Sequence, residues 1–272
     1  MESKAYISRV ALLVTGCLVA AAVFLYSNST LEGRAVGYPG ANGAMPGKVQ
    51  LNGLSLNGLS LNALSYNDLA NTPDSAKQLE ALAHNDEGRE LLRVLAACSL
   101  PEGEMLEVST DIGTSSFSGS LGLAPEWQTA ALSEQGQRWV SACVMAHVNA
   151  VGAHVPVSLR GDHPSLRPTI QEANNYRIEE GAFFGNLFGE KPYAASCVGN
   201  HGAGSPYLKE RLCATDVIGS KSICGFVSAG QCEEVCDVKD QDGQQIYVNC
   251  RLSDDTAASE VITVLLTESV SG

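Results

Sequence analysis

Residues 133–161 read SEQGQRWVSACVMAHVNAVGAHVPVSLRG, and two different periods meet inside them. Trp139, Val140, Cys143, Val144, His147, Val148 and Val151 recur at helical spacing on one broad stripe, which predicts an amphipathic helix opening near Ser133. After Gly152 the period drops to two. Val155, Val157 and Leu159 alternate with Pro156, Ser158 and Arg160, the pattern of a strand with one buried face. Helices first and a cysteine-stapled β region after make an α+β arrangement.

Working outward, Asp74 or Ser75 caps a helix carrying Leu79, Leu82 and Ala83, with a break near Gly88. Leu91, Leu92, Val94, Leu95 and Cys98 mark a second helix that Pro101 ends, so the two form a hairpin. The glycine- and serine-rich stretch through TSSFSGSLGLAPEW reads as strand and loop. Beyond residue 161 the apolar runs are short, KSICGFVSAG, QIYVNCRL and EVITVLLTE, and turn-forming residues separate them. The expected layout is N-terminal helices followed by a disulfide-stapled β-rich region, together occupying residues 71–272.

Ahead of that domain the chain changes character three times. Lys4 and Arg9 precede an apolar run from Val10 to Tyr26, so residues 1–32 read as a signal peptide or membrane anchor. Cleavage, retention and lipidation at Cys17 all remain open. Residues 33–50, rich in glycine with Pro39 and Pro46, have the composition of a flexible linker. Residues 51–70 hold pentads, LNGLSLNGLSLNALSYNDL. These resemble the pentapeptide-repeat quadrilateral β-helix, departing from it where Leu54, Leu59 and Leu64 stand at a position that family keeps small. The units make at most one coil, and repeat folds need several coils to bury a core. The leucines therefore dock on the following domain, or the segment is a spacer.

Of nine cysteines, Cys17 lies in the apolar run and eight follow it: Cys98, Cys143, Cys197, Cys213, Cys224, Cys232, Cys236 and Cys250. An even set behind an export signal predicts four disulfides in an oxidising compartment. Cys98 and Cys143 sit on predicted helices and the other six crowd into turn-rich segments. The economical partition pairs the first two and makes three bridges among the rest. No Cys-x-x-Cys occurs and Cys232-x3-Cys236 stands alone, so no metal site is assigned. With a net charge of −13 the chain is not suited to nucleic acid.

No residue pattern announces catalysis, and no cofactor is implied. His147 on the apolar stripe reads as a hydrogen-bonded core histidine, and His84 in HNDEG as solvated. The candidates for function are Arg160, Asp162 and His163, which leave a strand end together, and the neighbouring Glu179 and Glu180. Adjacent carboxylates on a strand point to opposite faces, which argues against a general acid and base pair. The loop VGNHGAGSPY lacks the strand-to-helix setting of a phosphate cradle. DVKDQDGQ places Val238 and Asn249 where a calcium loop needs carboxylates, so it reads as a hairpin turn.

LGLAPEW, QRWVSACVMAHVNAVGAHVPVSLRG, EEGAFFGNLFG and the tail cysteine pattern resemble a family of exported, cysteine-containing envelope proteins of myxobacteria. That resemblance covers most of residues 90–267. It implies an envelope location and one disulfide-bonded domain, and brings no activity or ligand with it. The expectation is a non-enzymatic module that binds a protein or glycan; the alternative is a cell-wall or extracellular hydrolase using residues near 160–180.

Overall fold

Two short strands, β1 (Val49–Asn52) and β2 (Leu54–Ser55), come first in a computed structural model that describes residues 49–52, 54–55, 73–150, 154–188, 192–201, 204–215, 217–252 and 257–268. The sequence-assigned anchor at 1–32 and most of the linker and pentads lie outside those residues. β1 begins at Val49, so the last two residues assigned to the linker belong to a strand instead. Among the described residues no helix is long and apolar enough to cross a membrane.

Helices α1 (Pro73–Ala83) and α2 (Asp86–Ser99) follow. The break between them falls at His84 and Asn85, not at Gly88. Asn85 accepts a hydrogen bond from the Gly88 amide at 2.7 Å, and Asp86 and Glu87 favour the positive end of α2. Gly88 is needed for a different reason: a Cβ there would lie 2.0 Å from the Leu82 carbonyl oxygen, so the glycine lets the two helices touch. A hairpin of β3 (Met105–Thr110) and β4 (Gly113–Ser118) leads to α3 (Glu134–His147), which Ser133 caps as expected. The apolar stripe of α3 was expected to run on to Val151. It stops at His147, because Val148 turns extended and starts β5 (Val148–Asn149), parallel to β2.

β6 (Val155–Arg160) is the strand read from the sequence, but it does not have one buried face only: Ser158 and Arg160, on the side expected to meet solvent, are buried too, because Glu172 of the chain beyond covers them. Next come α4 (Ile170–Asn175), the long β7 (Tyr176–Asn186) and β8 (Tyr193–Val198). α5 (Leu208–Arg211), β9 (Val217–Ile218), β10 (Lys221–Ser222), β11 (Val227–Gln231) and α6 (Cys232–Val235) are short. The hairpin of β12 (Asp237–Gln241) and β13 (Gln244–Val248) turns on Asp242 and Gly243, with φ of 55° and 83°. β14 (Cys250–Arg251), β15 (Ala257–Ala258) and β16 (Val261–Thr267) complete the described chain.

Eight strands form one sheet in the order β1-β6-β16-β7-β8-β11-β10-β9, antiparallel except where β11 runs beside β8. The last strand of the chain is thus inserted between β6 and β7. Ile262, Val264 and Leu266 pack with Phe183 and with Leu95, Val140 and Val144 of the helices. On the other face Val261 joins Ala182, Phe184, Tyr247 and four cysteines. The fold is α+β with most of the sheet after the helices, but the expected order of helices first and β region after is corrected: β1 and β2 precede α1, the β3–β4 hairpin separates α2 from α3, and the C-terminal strand is central in space.

The disulfides are Cys98–Cys143, Cys197–Cys232, Cys213–Cys224 and Cys236–Cys250, in the partition expected. The first ties α2 to α3 over one face of the sheet. Cys197–Cys232 and Cys236–Cys250 pin α6 and the β12–β13 hairpin over the other.

Because β16 is buried on both sides, Ile262→Ala should cost about 2–5 kcal/mol in urea unfolding. Ile112, 81% exposed at the β3–β4 turn, should tolerate alanine within about 0.5 kcal/mol. Equal effects at the two positions would contradict this core.

Candidate functional site

The five candidate residues part company. Arg160 was expected at an exposed strand end, but its side chain is fully buried. Its Nη1 donates to Oε1 of Glu172 at 2.7 Å, and Ser158 Oγ donates to the same oxygen at 2.8 Å. Glu172 is fixed by a capping box with Thr169 at the start of α4. Burial lowers the pKa of Arg160, and the Glu172 carboxylate works against that. Asp162 instead faces solvent, where Lys239 of β12 donates to it at 2.5 Å. His163 accepts from the Ser165 amide through Nδ1 at 3.1 Å and sets its ring edge-on to Trp139, with centroids 5.3 Å apart.

Glu179 and Glu180 do lie on opposite faces of β7, as strand geometry required. The pairing of β7 with β16 passes from Gly181 opposite Val264 to Glu179 opposite Leu265, so Glu180 is the extra residue of a bulge. Its carboxylate is fully buried, and Oε2 lies 2.8 Å from Nε and 2.7 Å from Nη2 of Arg211. Arg211 also donates to the Val148 carbonyl at 3.1 Å and sits 5.8 Å from the Phe183 centroid. Burial raises the pKa of Glu180 while Arg211 opposes the shift. Gly181 next to it admits no side chain, since a Cβ would meet the Cys197 carbonyl oxygen at 2.2 Å. Glu172 and Arg211 escaped sequence reasoning, because an acid and a base on short helices look like ordinary surface charges.

Glu179 lines a cleft of the described residues. Its Oε2 accepts from Tyr247 Oη at 2.8 Å and from the Asn200 amide at 3.4 Å. Burial and that carboxylate together raise the pKa of Tyr247. The cleft, about 420 Å³ and open to solvent, lies between the end of α4, the start of β7 and the β12–β13 turn. Asn174, Arg177, Glu179, Asp242, Gln244 and Gln245 supply its polar wall, with Leu265 at its apolar part. Gln244 is held rigidly: its Nε2 donates to the Ala173 carbonyl at 2.5 Å and its Oε1 accepts from Arg160 Nε at 3.3 Å. Arg160 therefore serves this cleft at one remove. Neither His163 nor Glu180 lines it.

A second cleft, about 570 Å³, lies between α2 and β4, but its Arg89 and Arg93 are each paired to an acid one turn away, Asp86 and Glu90. In the glycine-rich loop the ring Nδ1 of His201 lies 2.8 Å from the Glu179 carbonyl oxygen, tying that loop to β7. The DVKDQDGQ segment is the hairpin turn expected of it, closed by a bond from the Gly243 amide to Asp240. Cys98, Cys143 and His147 lie together, as do Cys197, Cys232 and Cys236, but these cysteines are disulfide-bonded and offer no thiolate to a metal.

His147 is the core histidine expected. It is buried against the Cys98–Cys143 bridge, and its Nδ1 donates to the Cys143 carbonyl at 2.7 Å. Burial pushes its pKa down to about 4.

Comparison with protein families, curated proteins and solved structures finds nothing that matches this chain.

Since His147 takes its proton more readily when unfolded, its contribution to stability is complete above about pH 6.5 and declines as the pH falls towards 4. The loss reaches about 3 kcal/mol. Urea unfolding of wild type and His147→Gln at pH 7 and pH 4.5 should show a smaller pH effect in the variant. Parallel losses in both would refute the assignment.

Proposed function

We propose that this is an exported, disulfide-stabilised binding module of a bacterial envelope, with the cleft at Arg177, Glu179 and Gln245 as its ligand site. The observation that carries the reading is the separation of the five ionisable candidates into contacts within the protein. Arg160 and Glu180 are consumed by buried pairs and His163 is held by its own turn, while Asp162 meets Lys239 at the exposed surface. Glu179 instead lines a polar cleft of amides, one guanidinium and carboxylates, pre-set by the bonds of Gln244 and Glu179. Such a wall suits a ligand rich in hydroxyl and amide groups, and a wall glycan is the ligand class favoured.

Four disulfides fit an oxidising compartment, and the run Val10–Tyr26 supplies the route to it or the tether within it. The resemblance to exported myxobacterial proteins agrees with that location. The hydrolase alternative retains one observation, that Glu179 and Asp242 line the same cleft. Glycoside hydrolysis usually needs two carboxyl groups about 5 to 9.5 Å apart across a bound sugar.

Titration with soluble peptidoglycan fragments, followed by calorimetry, distinguishes these readings. Arg177→Ala and Gln245→Ala are both at exposed positions, so they should weaken binding at least about tenfold, near 1.4 kcal/mol, and leave the melting temperature unchanged. Release of new reducing ends from the fragments, abolished by Glu179→Gln, would replace the binding reading with the hydrolase. Absence of binding to any fragment would refute the glycan assignment.

A further inference from the structure

The unit Leu-Asn-Gly-Leu-Ser at residues 51–55 recurs unchanged at 56–60, and with Ala63 in place of glycine at 61–65. Its first copy makes two different pairings in the structure. Leu51 and Asn52, ending β1, lie antiparallel to Pro156 and Val155 of β6. Beyond Gly53 the chain continues as β2, where Leu54 and Ser55 run parallel to Val148 and Asn149 of β5. One pentad therefore pairs with two strands in turn: β1 is the terminal strand of the eight-stranded sheet, and β2 forms a separate two-stranded sheet with β5.

Strand register is set by the difference between the residues that a slip would exchange. A slip of five residues is odd, and in an ordinary strand it would turn every side chain to the other face. Here the slip equals the repeat, so the four positions opposite Pro156, Val155, Val148 and Asn149 receive the residue types they held before. With residues 56–60 in place, Leu56 stands opposite Pro156, Asn57 opposite Val155, Leu59 opposite Val148 and Ser60 opposite Asn149. Upstream, Leu54 and Ser55 replace Val49 and Gln50 opposite Ser158 and Val157.

Each exchange shortens the segment that leads to α1. Residues 56–72 join β2 to α1. A slip of one unit leaves about 12 residues, which span up to about 40 Å, and a slip of two leaves about 7, which span up to about 25 Å. The registers differ in loop-closure entropy, which changes slowly with length.

We infer that β5 and β6 together are a binding site for the pentapeptide unit itself, filled in exchange by residues 51–55, 56–60 and 61–65 of the same chain. The repeat is then an adjustable strap. Each step transfers about 17 Å of extended chain from one side of the site to the other. One coil of such pentads is too short to be a repeat domain, and this role needs no coil.

Residue-resolved hydrogen exchange on the full chain tests the inference. Replacing residues 51–55 by a Gly-Ser linker of equal length should leave protection of the β5 amides, and of the β6 amides not bonded to β16, within about twofold, because 56–60 takes the place. Replacing all three units should lower that protection at least tenfold while β7 and β16 stay protected, and a synthetic LNGLSLNGLS peptide should restore it. Full loss on replacing the first unit alone would show a fixed segment and overturn the inference. So would unchanged protection when all three are replaced. Protection that falls on tenfold dilution of the wild-type chain would mean that another copy supplies the unit, which overturns the assignment to the same chain.

Discussion

A strand with no face towards water is the constraint from which the rest of this fold follows. β16 pairs with β6 on one side and β7 on the other, and its residues are buried above and below the sheet. Two-sided burial gives such a strand a large hydrophobic contribution, provided that both faces are covered. On one face the cover is α2 and α3, each with a continuous apolar stripe. On the other it is thinner: the β12–β13 hairpin, β14, β15 and α6 bring few large apolar residues, and disulfides make up the deficit. The uneven distribution of cysteines along the chain thus reflects the unequal strength of two layers.

Charge is buried at the joints between these layers. Arg160 and Glu172 connect β6 to α4, while Glu180 and Arg211 connect β7 to α5 and, through the Val148 carbonyl, to the end of α3. Buried ion pairs are poor sources of net stability, because desolvation offsets most of the attraction, but breaking one leaves a stranded charge. They hold elements in one arrangement. The Arg160 pair extends through Gln244 to the polar cleft, so a residue that does not touch the cleft still fixes its wall. A polar binding surface benefits from this rigidity, since less side-chain freedom is lost when a ligand arrives.

The edge strand carries a different balance. The interior of the sheet is specified by large, dissimilar residues and has one register, whereas its edge is closed by a repeated sequence whose registers are nearly equivalent. Covering the edge also removes a template for unwanted pairing with other chains. Uniqueness at the centre and degeneracy at the rim can coexist because the rim contributes little to the core.

The sequence by itself determined the local and compositional features. The α3 stripe, the strand β6, the Ser133 cap, the hairpin turn at Asp242-Gly243 and the division of eight cysteines into one helical pair and six others all follow from period, turn chemistry and proximity along the chain. The opposite facing of Glu179 and Glu180 was also legible, because alternation along a strand is local. Tertiary structure alone decided which charges are functional candidates. Arg160 and Glu180 look like surface residues in the sequence and become buried only because Glu172 and Arg211, distant along the chain, arrive to neutralise them. It also decided that the last strand is central and that Gly88 marks a helix contact and not a helix break. Such facts depend on what approaches from far along the chain, and no local period records that.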